Sequence, residues 1–159
     1  MSQVNVRTGC PGSRMRDFSD AAVEAGDQQG TRPSQLAQWP VQLHLVGPTA
    51  PYFQNADVLL TADCVAYALA DFYKDHLAGN SLAIACPKLD QGREIYLEKL
   101  TALVDEAQIK SLTVMTMQVP CCAGLVHLAK TAVAQAERQI PIMSKVVSVR
   151  GEILSKEWV

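Results

Sequence analysis

The sequence has no long apolar run. Its apolar stretches, such as Leu82-Ala83-Ile84-Ala85, fall far below the roughly 20 residues that a membrane span needs. It has no excess of either charge: 14 basic side chains stand against 16 acidic ones, for a net charge of -2. Without a phosphate-neutralising surplus, neither a nucleic acid nor an anionic membrane is the expected partner. Met1-Ser2-Gln3-Val4-Asn5-Val6-Arg7 lacks the apolar core of a signal peptide, so the cytoplasm is the expected location. No C-x-x-C pair, no G-x-G-x-x-G turn and no Walker loop occurs. The usual phosphate cradles of dinucleotide and nucleotide sites are therefore missing.

What is present suits a folded domain. The chain has 159 residues, of which 48% are hydrophobic and 19% charged, enough to build a core and too apolar for disorder. Residues 1–38 read as an N-terminal segment and linker, with a turn around Cys10 and a polar, glycine-rich stretch through Gly26-Asp27-Gln28-Gln29-Gly30. One helical turn is expected near Ala21 to Ala25. Residues 39–159 read as one α/β domain.

In that domain strand and helix alternate. Gln42-Leu43-His44-Leu45-Val46 reads as a first strand and Asp57 to Ala62 as a second. A helix with Val65, Leu69, Phe72, Tyr73 and Leu77 on one stripe follows, closed by Gly79. Leu82 to Ala85 is a fully apolar strand of the kind buried on both faces. A helix over about Ile95 to Ala107, a strand over Leu112 to Val119 and a helix over about Leu125 to Arg138 come next. Lys145 to Val149 is a last strand, and Gly151 to Leu154 adds an edge hairpin. The alternation predicts a three-layer Rossmann-like α/β fold with a mostly parallel sheet of about five strands.

Ligands in such sheets gather at the carboxyl ends of the strands. Four of the five cysteines fall there: Cys64 after Ala62-Asp63, Cys86 after Ala85, and Cys121 and Cys122 after Val119-Pro120. Cys10, in Gly9-Cys10-Pro11-Gly12-Ser13, sits in a turn that could fold over the same edge. A thiolate at a helix start is favoured by the dipole, but several together repel unless a cation lies between them. Iron–sulfur clusters and zinc both take thiolates from separate loops. The plain alternative is packing, since free cysteine is among the most buried residue types.

The same stretches carry a resemblance. Ser34-Gln35-Leu36, Trp39 to Val46, Ala62-Asp63-Cys64, Ala85 to Asp90, Val119-Pro120-Cys121-Cys122 and Gly9 to Arg14 resemble the C-terminal domain of a family of bacterial and archaeal ferredoxin-type iron–sulfur proteins. Family members usually begin with a two-cluster ferredoxin domain of closely spaced cysteines, which this sequence lacks. The resemblance implies an iron–sulfur cluster, or alternatively zinc, on Cys10, Cys64, Cys86, Cys121 and Cys122. It implies electron transfer or redox sensing with a ferredoxin or other redox partner protein. A second copy covering the thiol-bearing edge, as a homodimer, is a further expectation.

Other readings stay open, and whether the protein is an enzyme is undecided by sequence. Cys10 or Cys122 could act as the nucleophile of a thiol enzyme or carrier. Alternatively, the edge could dock a ferredoxin partner with the cysteines as mere packing. Cys10 to Arg16 fits the C-x5-R phosphate loop of cysteine phosphatases, with Val4 and Val6 as a preceding strand, although Gly9 stands where a histidine is usual. His44 reads as a strand residue, His76 as a cation complementing a helix C-terminus, and His127 as the histidine nearest the cysteine edge. Asp63 borders the same edge, Asp90 reads as a helix cap, and Lys88 as one positive charge near the thiols.

Overall fold

A computed structural model describes residues 14–18 and 32–159. Cys10 and residues 11–13 of the C-x5-R stretch, the strand around Val4 and Val6 and the turn near Ala21 to Ala25 lie outside those residues, while Arg16 at the end of that stretch lies within them. Two very short strands, β1 (Arg16–Asp17) and β2 (Gln38–Trp39), pair antiparallel and tie the described N-terminal piece to the start of the domain.

The main sheet holds β3 (Asp57–Ala62), β4 (Ser81–Ala85), β5 (Ser111–Met117), β6 (Ile142–Val147) and β7 (Ile153–Trp158), in the spatial order β4-β3-β5-β6-β7. The first four are parallel and β7 runs antiparallel beside β6. Five of the six residues of β3 are buried, as an inner strand covered on both faces requires. The three-layer, mostly parallel α/β expectation holds.

The chain leaves β3 through α1 (Val65–Ala68) to reach β4 on one side. It then crosses back through α2 (Arg93–Asp105) to β5 on the other side, and through α3 (Ala123–Gln135) to β6. Right-handed crossovers in opposite directions put the α1 segment on one face and α2 and α3 on the other. α2 and α3 pack against each other. Tyr96, Leu100, Leu103 and Val104 form the buried stripe of α2, and Leu125, Ala129, Ala132 and Val133 that of α3. These stripes meet Leu60, Leu112 and Val114 in one hydrophobic core.

Two expected elements differ. Gln42 to Val46 is not a strand. Gln42 makes one isolated parallel bridge to Ile84, and the chain then turns, with Leu45 and Val46 both donating to the Gln42 carbonyl. The reason lies on α2: the ammonium of Lys99 donates to the carbonyls of Leu43, His44 and Val46 at 3.0, 2.6 and 2.9 Å. An extended backbone points successive carbonyls to opposite sides and cannot offer all three to one group.

The helix expected from Val65 to Leu77 is broken. α1 ends after Ala68, Leu69 is extended, and a π-helical turn, Tyr73–Leu77, completes the connection. The β6–β7 turn fills the gap: a Cβ on Gly151 would lie 2.2 Å from the Ala68 carbonyl oxygen. The expected glycine at the end of this segment is borne out, with Gly79 at φ +78°.

The outer side of β4 is also covered. Gln38, 1% exposed, uses its amide like a peptide group. Its Nε2 donates to the Leu82 carbonyl at 2.9 Å, and its Oε1 accepts the Leu82 N–H at 2.8 Å. Ile84, the next outward-facing residue, bonds Leu43 and Val41 through its own backbone.

Candidate functional site

The strand order brings the cysteine-bearing tips side by side. β3 lies between β4 and β5, so Asp63-Cys64 stands between Cys86 and the Cys121–Cys122 pair. The winding direction reverses between β3 and β5, the switch point outside which open α/β sheets bind their ligands. Cys64 and the Cys121–Cys122 pair flank that point.

Each thiol has its own setting. Cys64 is exposed, and its carbonyl accepts the N–H groups of Tyr67 and Ala68 at 3.2 and 3.3 Å to start α1. Cys121 is exposed and Cys122 buried, both on a single 3-10 turn, Pro120–Cys122, that leads into α3. Burial first, and then the neighbouring Cys121 and Cys64, push the Cys122 thiol up, while a hydrogen bond from the Met117 backbone opposes them. That direction is contrary to what a nucleophilic Cys122 needs. Among its causes are charges on both sides of the β3–β5 gap, Cys121 beside it and Cys64 across it.

Cys86, half-buried, belongs to a second cluster. Asp90 accepts the Cys86 N–H at 2.7 Å, and the Asp90 N–H returns to the Cys86 carbonyl at 2.9 Å, closing the turn after β4. The Tyr96 phenol donates to the same Asp90 oxygen. Burial, the Asp90 hydrogen bond and the charges of Asp90, Asp63 and Cys86 all hold the phenol in its neutral form, raising its pKa. Asp63 is raised too, by burial and then by Asp90, against a hydrogen bond from Gln42. Its Oδ1 is buried with no partner. His44 stacks on Tyr96 with ring centroids 4.2 Å apart, and its Nε2 meets the Gln91 carbonyl at 2.7 Å.

Several sequence assignments change. Asp90 caps no helix: α2 starts after Gly92, which takes φ +75°, with no side-chain cap. His44 lies in the turn held by Lys99 rather than in a strand. His76 does not act as a helix-end cation. Burial and the positive charges of Lys145 and Lys156 lower its pKa, with Asp75 opposing. His127 faces an open groove of about 810 Å³ between α3 and the β5–β6 strands, together with Thr116, Val126, Lys130 and Val146. Lys88 is exposed.

Tyr96 and Lys99 went unrecognised in the sequence because both read as ordinary helix positions. The spacing Asp90…Tyr96, with an acid just before a helix and an aromatic in its first turn, is the signal that could have found the Tyr96–Asp90 hydrogen bond. Among the described residues, no group of three or more histidine, cysteine, aspartate or glutamate side chains is arranged to hold a metal ion. No helix among them is long and apolar enough to cross a membrane.

The fold and its loaded strand tips define a Rossmann-like domain. Residues 50–159 match the Rossmann-like domain family, and the chain belongs to it. It is also similar to a protein of Archaeoglobus fulgidus described as an "Uncharacterized protein": 31% identity over 119 residues, covering 75% of this chain and 83% of that one. No solved structure matches it.

Proposed function

We propose that the strand-tip cysteines hold an iron–sulfur cluster, with zinc as the alternative occupant, and that the protein transfers electrons or senses redox state through it. The observation that supports this reading is that Cys64 and the Cys121–Cys122 pair follow the neighbouring strands β3 and β5 on either side of the switch point. Charge on Cys121 or Cys64 opposes ionising Cys122. A cation between them relieves that repulsion, and an all-thiolate donor set suits iron–sulfur clusters and zinc.

Cys64, Cys121 and Cys122 are the proposed ligands, with Cys86 or Cys10 completing the set. A cluster spreads its thiolates farther apart than a single ion does, so the lack of a compact single-ion site is compatible with it. A bound cluster supplies one-electron chemistry. The chain supplies soft ligands on a half-sheltered rim. The partner is a redox protein of ferredoxin type or a second copy of the chain, seated over the exposed Cys64 and Cys121.

Anaerobic reconstitution with iron and sulfide tests the reading. The expected product is coloured, contains both elements, and loses them in Cys64→Ser and Cys121→Ser. A colourless, metal-free protein in which Cys64→Ser, Cys86→Ala and Cys121→Ser change nothing overturns it. In that case, one cysteine alkylating much faster than the rest at neutral pH points to a thiol enzyme instead.

A further inference from the structure

A further cluster lies on the face of the sheet opposite α2 and α3. The β6–β7 register sets Lys145 directly opposite Lys156. Like charges in that position repel, and sheets normally avoid them. The π-helical turn adds a third nitrogen group: His76 Nδ1 lies 3.3 Å from Lys145 Nζ. The ammonium donates there, which leaves the imidazole neutral with its other nitrogen as a donor.

Among the described residues no ion pair joins a carboxylate to Lys145 or Lys156. Asp75 on the same turn is the carboxylate whose charge reaches His76. Glu157 sits one residue from Lys156 and so points to the other face. The chain has no surplus of basic side chains, 14 against 16 acidic, so this gathering is local and not a consequence of overall basicity. Single-turn π-helices are rare and frequently mark functional sites. Trp158, two residues from Lys156 on the same face, is 68% exposed and offers a flat apolar surface beside the cations.

We propose that Lys145, Lys156 and His76 form an oxyanion site that takes a phosphate group, free or as a monoester whose aromatic part lies on Trp158. Two ammonium groups and one N–H donor supply the charge and the hydrogen bonds that phosphate oxygens accept. Bound phosphate removes the Lys145–Lys156 repulsion and favours protonation of His76. The site is independent of the thiol reading.

The test is titration of the full chain with inorganic phosphate and, separately, with a nucleoside monophosphate, in a chloride background. Binding is read by calorimetry, by the His76 ring resonances and by tryptophan fluorescence. The expected result is saturable binding, an upward shift of the His76 titration, and at least a tenfold weakening in Lys145→Met and in Lys156→Met. Lys110→Gln, remote and exposed, leaves binding unchanged. Quenching of Trp158 and tighter binding of the ester identify the monoester as the source. Equal binding of both ligands without quenching identifies free phosphate. No saturable binding, or binding that survives Lys156→Met intact, overturns the proposal. Lys156 is exposed, so its replacement leaves the fold in place.

Discussion

Asp90 and Cys86 exchange two hydrogen bonds, Cys86 N–H to the carboxylate at 2.7 Å and Asp90 N–H to the Cys86 carbonyl at 2.9 Å. The loop that carries the β4 thiol is thus fixed by a residue four positions on, and Tyr96 anchors that residue to α2. Replacing Asp90 by alanine removes the acceptor for two donors, one of them a half-sheltered backbone N–H. Asp90→Ala is expected to lose about 2 kcal/mol by chemical denaturation, near the middle of the range for bonds to a charged group. Tyr96→Phe is expected to lose about 1 kcal/mol.

Gly151→Ala meets two obstacles. Its φ of +82° suits glycine, and the new methyl would lie 2.2 Å from the Ala68 carbonyl oxygen. Left-handed strain and overpacking together are expected to cost roughly 2–4 kcal/mol. Gly47→Ala, with nothing within 4 Å, is the control and is expected to stay within about 0.5 kcal/mol of wild type. Equal denaturation midpoints for the two variants would contradict the packing of the β6–β7 turn on α1.

Lys99→Met keeps the apolar stem and deletes the ammonium shared by three carbonyls. A loss of about 2 kcal/mol is expected. Hydrogen exchange should speed up at Leu45 and Val46, whose N–H groups close the turn, before it changes in β3.

His76 makes stability depend on pH. Its folded pKa lies below the ordinary 6.5, so the unfolded chain takes the proton first as pH falls. Its contribution is complete above the ordinary value and is lost as pH drops through the folded value. His76→Gln is expected to flatten the stability profile between about pH 7 and pH 5. An unchanged slope would show that burial and the lysines together do not lower the pKa of this ring.

Cys122 and Cys64 separate packing from ligation. Cys122→Ser puts a hydroxyl at a site 7% exposed and is expected to cost about 1–2 kcal/mol even in metal-free protein. Cys64→Ser, on the surface, is expected to stay within about 0.5 kcal/mol there. Cluster content after reconstitution should fall in both.

The legible parts of the fold are those dictated by local pattern. Leu82 to Ala85 is apolar throughout because both faces of a parallel strand are covered, and the sequence alone identifies it as such. The placement of Cys64, Cys86, Cys121 and Cys122 at strand tips follows from the same pattern. Which tips are neighbours does not, because strand order is set by crossovers and packing. Gln42 to Val46 alternates like a strand, yet Lys99, more than fifty residues on, gathers its carbonyls into a turn. The Val65 to Leu77 stripe is helical by period, and Gly151 interrupts it from a distant turn. The Lys145–Lys156 pair was equally hidden, since nothing short of the β6–β7 register sets those residues opposite each other.

The amide of Gln38 stands in for a peptide unit beside Leu82, and Val41 and Leu43 do the same for Ile84. One margin of the five-stranded sheet is therefore sealed by the chain itself, and among the described residues β7 is the margin with no strand beside it. Strand addition to this sheet then has one described starting point, and a two-fold pairing there would use that edge in both copies at once, closing the assembly at two.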